Sequence, residues 1–409
     1  VSLTEPERRA VLLIAAVQFV NILDFIMVMP LGPDFAAALD VPASHVGYVG
    51  GSYTAAASVA GLLGSLFLDR FDRRSALAVA VGGLVMATAL GGLAVNLETL
   101  LAARVLAGVF GGPAVALGTA IIADRVAPER RGRAMGIAMG SFSVAAVLGV
   151  PVGLELARLG SWRLPFFVVA ALGVVVASAA MALLPPQRDH LEHGPGPDPF
   201  ARLRSLLSRR AAWLAYGTAG LLQMQAFMII PNISAYVQGN LGFPRGKLGL
   251  LYLIGGTLTF FGMRVAGRLS DRFGSATVTL ANTALISVVV WAAFVDYQPW
   301  MPLLVLFPVF MVTNGMRIVA NGAAFSKVPQ PHERAGFMAL VSAVQHIAAA
   351  LGAFVSAYFL DTAPDGQLLN MASVATGAIA LGLAVPPMMF ALERAVRPAP
   401  AMPWQPPVE

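Results

Sequence analysis

Gln18, Asn21 and Asp24 recur every third position inside an otherwise apolar run, Ala10 to Gly32, and so share one side of a helix. Asp24 is the only acid clearly within an apolar run of this chain. An ionised carboxylate at mid-membrane costs about 2.5–3.5 kcal/mol on insertion scales, so its presence needs a reason. A carboxyl that takes up and releases a proton as its surroundings change is a coupling device. The stripe is therefore expected to face a water-filled cavity; the alternative is an Asp24 that stays protonated and hydrogen-bonded throughout. Arg104, in the run Leu100 to Ala123, keeps its charge at ordinary pH and needs a partner, water or a path to the surface.

Other candidates are neutral or near run ends. Gln223, Gln225 and Asn232 lie with Met224, Phe227 and Met228 in the run Trp213 to Val237. Amides beside flexible methionines and aromatics suit a broad amphiphilic ligand, and they equally suit helix packing. Ser342, Gln345 and His346 lie close together in Phe337 to Leu360, where His346 reads as a substrate or proton contact or as a packing residue. Glu155 is a second acid, near enough to a run end to be solvated. Cysteine is absent, and the runs hold no His-Glu-x-x-His, no paired acids, no Ser-His-Asp set and no Gly-x-x-x-x-Gly-Lys. Neither an enzyme, a cofactor nor a metal site is expected.

The elements that position these residues follow from composition. Of 409 residues 57% are hydrophobic and 12% charged, against about 25% charged in soluble domains. Lipid is the solvent such a surface requires. At about 20 residues per span, the apolar runs make six spans to Leu184 and six more from Trp213: an all-α membrane protein of twelve transmembrane helices. The remaining four runs of the first set are His45–Leu68, Ser75–Val95, Ala134–Leu156 and Leu164–Leu184. Those of the second set are Leu248–Val265, Ala276–Phe294, Met301–Ala320 and Met371–Leu392. With the N-terminus inside, 21 Lys and Arg fall in cytoplasmic segments and only Arg158, Arg163, Arg245 and Lys247 outside, which predicts cytoplasmic termini. The net charge of +6 then reflects topology and anionic lipid, not nucleic acid.

Gly194-Pro195-Gly196-Pro197-Asp198-Pro199 interrupts any helix. It divides the chain into a six-helix bundle over 1–184, a cytoplasmic linker over 185–211 and a second bundle with tail over 212–409. Phe200, Leu203 and Leu207 in the linker read as a surface helix or as solvated chain. The halves repeat. Asp69-Arg70-Phe71-Asp72-Arg73-Arg74 after span 2 is echoed by Asp271-Arg272-Phe273-Gly274 after span 8 (271 − 69 = 202). Gln225 takes the Asp24 position (225 − 24 = 201), Gly352 that of Gly149, and Arg317 approximates Arg104. Two pseudo-symmetric bundles with a site between them are expected, and Gly108, Gly111 and Gly112 should permit close helix approach.

The loop signature Asp69, Arg70, Arg73 and Arg74, with Ser65 and Asp72 where two glycines usually stand, resembles the major facilitator superfamily, as does Arg104-Val-Leu-Ala-Gly108. The second loop carries both glycines, Gly267 and Gly274. Gly149-Val150-Pro151-Val152-Gly153 is similar to the span-five motif of twelve-span drug:proton antiporters, with Val150 interrupting it. The resemblance covers essentially the whole chain. It implies the major facilitator fold, a monomer in a bacterial inner membrane, and a proton-handling Arg104 that pairs with Asp24 or with the cavity. Asp69, Arg70, Arg73, Arg74, Asp271, Arg272, Gly149, Pro151 and Gly153 would be conformational motif residues, with Asp69 a latch that holds one state and breaks in the other. The expectation is a secondary active transporter working by alternating access. It would carry a small lipophilic or amphiphilic compound outward against protons, through a cavity lined by Gln18, Asn21, Gln223, Gln225, Met228, Asn232, Gln345 and His346. The alternative is a sugar or metabolite exporter, or a proton-coupled importer, on the same scaffold.

Overall fold

Helices begin where a cap or proline supplies the missing partners and end where glycine, proline or a polar loop stops them. The computed structural model describes residues 3–187, 207–329 and 334–396. Span 1 is Glu5–Val28, opened by Pro6 and by the Thr4 amide donating to Glu7 Oε2 at 2.8 Å. Span 2 is Val46–Phe67, span 3 Arg73–Gly92 and span 4 Leu97–Arg125, the last capped by Asn96 Oδ1 accepting from the Thr99 amide at 2.9 Å. Span 5 runs Pro128–Val144, passes through a π-helical turn, Ala145–Gly149, and continues as Val150–Leu159; span 6 is Leu164–Leu183.

Span 7, Arg210–Ile229, is turned at Ile230–Asn232, where Pro231 removes a backbone donor, and resumes as Ile233–Gly239. Spans 8 to 11 are Leu248–Phe273, Ser275–Phe294, Leu303–Phe325 and Arg334–Phe359. Span 12 is Met371–Leu383 followed, ahead of Pro386 and Pro387, by Val385–Val396. The expected linker helix lies mostly at 188–206, outside the described residues.

Eleven of these helices are long and apolar enough to cross a membrane. The twelfth, span 2, is diluted by Gly, Ser, Thr and Tyr and packs along both span 4 and span 11. Val79, Val174, Val175, Val288 and Val305 are more than half exposed, apolar surface that only lipid accommodates. Two short elements are additions to the expected pattern. One is a helix at Gly32–Ala38, started by Pro33 in its first turn. The other is a two-strand hairpin pairing Asp361 with Leu369 and Thr362 with Leu368.

The packing repeats as the sequence does. Span 2 lies on span 4 as span 8 lies on span 10, and span 1 on span 5 as span 7 on span 11. The halves meet through span 2 against span 11 and span 5 against span 8, exchanged pairs of a twofold relation. A Cβ on Gly149 would meet the Leu23 side chain at 2.5 Å, and one on Gly352 would collide with the Met224 carbonyl, the same approach in each copy. The loops after spans 2 and 8 solve one turn in two ways. Gly274 adopts φ +86°, a left-handed region that favours glycine. In the first copy Asp72 keeps φ −55° and caps span 3 instead, accepting from the Arg74 amide at 3.3 Å.

Both described ends of the chain lie on one face of the bundle, termed the near face; the opposite is the far face. Hydrogen bonds joining the halves lie mostly at the far face, with one, from Ser58 Oγ to the Ala343 carbonyl at 3.2 Å, set nearer the opposite face. Arg245 Nη2 donates to Asp34 Oδ2 at 2.7 Å and to the Leu154 carbonyl at 3.2 Å, and the Ser44 amide donates to Thr362 Oγ1 at 3.0 Å.

Candidate functional site

Span 1 presents Asp24 to spans 3 and 4. Both Asp24 carboxylate oxygens accept from Arg104 Nη1 at 3.0 Å, and Oδ1 also accepts from Thr88 Oγ1 at 2.8 Å. Arg104 Nη2 donates to the Asp24 carbonyl at 3.4 Å, and its guanidinium lies 4.7 Å from the Tyr53 ring centre. The relative exposures are 0% for Asp24 and 1% for Arg104, so the charges are satisfied by each other and not by water. One turn earlier, Asn21 Oδ1 accepts from the Tyr53 hydroxyl at 2.7 Å while its amide donates to the Gly111 carbonyl at 3.1 Å. A Cβ on Gly108 or Gly112 would strike the backbone of span 2 at Tyr53 or Ala57, so glycine lets spans 2 and 4 close around this network.

This geometry differs from the cavity expectation for the stripe. Gln18, Asn21 and Asp24 do share a face, but Asn21 and Asp24 are turned into the first half, and Gln18 is buried with them. The physical reason is Arg104: a buried guanidinium and a buried carboxylate each cost less together than either does facing alone into an apolar interior.

The second half places Gln225 against Arg317, whose Nη2 donates to Gln225 Oε1 at 2.5 Å. Asn232 is also buried there, with Nδ2 donating to Ser356 Oγ at 3.1 Å. Met228 is buried too. Gln223, Gln345 and His346 retain partial exposure. They sit one helical turn toward the near face from an apolar plug in which Phe25, Met29, Phe227 and Ala349 meet (227 − 223 = 4, 349 − 345 = 4, 349 − 346 = 3). Phe25 joins the halves there, stacking on Tyr53 with centroids 5.0 Å apart and on Phe227 at 6.0 Å. His346 Nδ1 is 2.8 Å from the Ser342 carbonyl, where it donates and leaves Nε2 as an acceptor.

Among the motif residues, Arg73 pairs with Asp124 and donates to the Ala120 carbonyl, and Arg74 Nη1 donates to the Leu184 carbonyl at 3.0 Å. Both ties stay within the first half. Arg70, Asp271 and Arg272 are exposed, and the side chain of Asp69 lies outside the described residues. Gly149 closes the π-helical turn and Pro151 and Gly153 follow it; Gly256 of span 8 packs against the Ala146 carbonyl of that turn. Glu155 pairs at the surface with Arg158 at 2.5 Å. Tyr53, Thr88 and Phe25 were not singled out by sequence, because one neutral polar or aromatic residue in a span carries no distinguishing pattern. Arg317 entered only as a repeat landmark, although an arginine inside a span was itself a signal.

The sequence profile of the Major Facilitator Superfamily matches residues 14–353 and, in a second alignment, 215–408. A chloramphenicol resistance protein of Streptomyces lividans is 26% identical over 260 residues, 64% of this chain and 66% of that one, just under two thirds of its length. Among solved structures, a bacterial homolog of the human lysosomal transporter Spinster, inward-facing and occupied, superposes with TM-score 0.75 at 16% identity over 98% of this chain and all of the other. The nucleoside transporter NupG gives 0.74 at 14% over 96% and 100%. At such identity these two structures speak to the fold alone. With its long apolar helices the chain is an integral membrane protein, and it belongs to the Major Facilitator Superfamily.

Proposed function

We propose that this protein exports a small lipophilic or amphiphilic compound in exchange for protons, and that the Asp24–Arg104 pair couples the two movements. The observation that carries the reading is a fully buried ion pair between spans 1 and 4. Protonating Asp24 removes half of the pair and leaves Arg104 uncompensated in an apolar interior, which costs several kcal/mol. The packing of span 1 on span 4 must then change. Asp24 is closed to water in this conformer, so its proton is exchanged in another, as alternating access requires. The likeness to a protein named for chloramphenicol resistance supports outward movement of a drug-like compound.

With both termini cytoplasmic, as the Lys and Arg bias supports, the Asp34–Arg245 contact is a closed outer gate. Substrate then enters from the near face and meets Gln223, Gln345 and His346 beneath the Phe25–Phe227 plug. The bundles over 1–184 and 212–409 rock about that plug as one monomer, joined by the 185–211 linker. Arg73 and Arg74 hold the loop after span 2 to its own bundle so that the bundle moves as a body. In proteoliposomes, an imposed pH gradient should drive uphill transport by the native chain, and Asp24→Asn should abolish it. Transport that is flat with pH and unchanged in Asp24→Asn would remove the coupling.

A further inference from the structure

Arg317 is the buried arginine of span 10 as Arg104 is that of span 4, but it lies deeper from the far face (317 − 303 = 14 residues from that end against 104 − 97 = 7) and without an acid opposite. Its side chain is 2% exposed, and among the described residues no carboxylate lies within ion-pairing distance. Beyond the bond to Gln225 Oε1, its Nε and Nη1 have no partner among the described residues, nor do Gln225 Nε2 or the hydroxyls of Thr279 and Thr283. Spans 9 and 10 are packed antiparallel neighbours. Thr283 is eight residues from the near end of span 9 (283 − 275) and Arg317 eight from the near end of span 10 (325 − 317). Thr279 and Asn321 are both four from those ends. Two successive turns of the second bundle thus hold a fixed positive charge, an amide donor, two hydroxyls and the unpartnered amide oxygen of Asn321.

A buried guanidinium keeps its charge and calls for a counter-charge. The donors around it are those that hold an anion: a planar fork suited to a carboxylate, with N–H and O–H groups that serve a halide as well. From this cluster we infer that Arg317, Gln225 and Thr283 form a binding site for one monovalent anion, either free chloride or the acidic group of an amphiphilic substrate. The site lies on spans 7, 9 and 10 and makes no use of Asp24, so it goes beyond the proton-coupling reading and stands or falls separately from it.

The test is thermal unfolding of the purified full chain in neutral detergent. Sodium chloride is compared with sodium sulfate at equal ionic strength, and benzoate with neutral benzamide. Mass action predicts a saturable rise of about 2 °C with the bound anion, absent in Arg317→Gln. Gln225→Glu should also lose the response, because it puts a carboxylate on the guanidinium, and it keeps the test available if Arg317→Gln does not fold. Stabilisation by both anions in competition, by chloride alone or by benzoate alone supports the site and separates a free ion from a substrate group. No response of the native chain to either anion, or a response retained in both variants, overturns it. Because binding and not transport is read, failure here leaves the coupling proposed for Asp24 intact.

Discussion

Two arginines on matching spans of a duplicated unit, set at different depths, have met opposite fates. Arg104 has a carboxylate bound through both oxygens, a threonine behind that carboxylate and an aromatic face beside it. Arg317 has one amide oxygen. The difference teaches that each bundle buries an arginine on its fourth span, while the depth and the compensation of that charge were settled separately. The first copy's charge is neutralised by its own carboxylate; the second copy's arginine has no acid beside it among the described residues. The same division recurs at the far face, where the first copy contributes the acid, Asp34, and the second the base, Arg245.

Removing each arginine in turn should expose that difference most strongly. Arg104→Gln strands the Asp24 carboxylate and is expected to cost about 3–5 kcal/mol, measured by thermal or denaturant unfolding in detergent. Arg317→Gln removes a charge that no described acid compensates, so in a sulfate medium it should cost less than about 1 kcal/mol or be stabilising. Equal losses would break the comparison, because they would mean that both arginines are compensated alike. A double-mutant cycle on Asp24→Asn and Arg104→Gln sharpens it further, with a coupling above about 1 kcal/mol expected for a buried pair.

The glycines of span 4 offer a smaller contrast. A Cβ on Gly111 would meet Asn21 Oδ1 at 2.8 Å and collide with the Tyr53 hydroxyl, both held in the network beside Arg104. In span 10, Ala324 already carries that carbon and is buried. Gly111→Ala should therefore cost about 1–3 kcal/mol, and Ala324→Gly less than about 1 kcal/mol. A neutral Gly111→Ala would mean that Tyr53 and Asn21 yield easily and that the first bundle is no more tightly specified than the second.

How much of this was legible beforehand follows from what each signal physically encodes. Lipid forces long apolar runs, so the spans, their repeat and the in-span residues Asp24 and Arg104 were readable. Gly108 and Gly112 were readable as close-approach positions for a similar reason, since only a missing side chain lets two backbones meet. A three-residue period states that Gln18, Asn21 and Asp24 share a face but not which neighbour that face meets, and so the stripe was expected at water when it lies against spans 2, 3 and 4. Thr88 and Tyr53 are ordinary residues whose importance arises only from pairing 64 and 32 positions away in sequence. The π-helical turn at Ala145–Gly149 and the Gly32–Ala38 helix depend on short-range backbone choices that apolar periodicity does not record.

The far-face contact gives the smallest effect and asks whether the halves' unequal charges act between them as well as within them. Asp34 and Arg245 are each 24% exposed, so their bond is worth about 1 kcal/mol and not the value of a buried pair. The equivalent places carry no charge: 34 + 201 is Ala235, and 245 − 201 is Ser44. No second copy of the bond therefore exists to share its load. Asp34→Asn should shift the balance toward a far-face-open conformer by about fivefold. Because the native chain has no cysteine, Ala349→Cys in the plug gives a lone thiol whose labelling from the far side reads that shift. Combining Asp34→Arg with Arg245→Asp should return labelling to its starting rate, since the reversed charges still attract. If the single substitution leaves labelling unchanged, the far face is held by apolar packing such as Tyr48 on Phe354, whose ring centres lie 5.9 Å apart, and the unequal charges matter only inside each bundle.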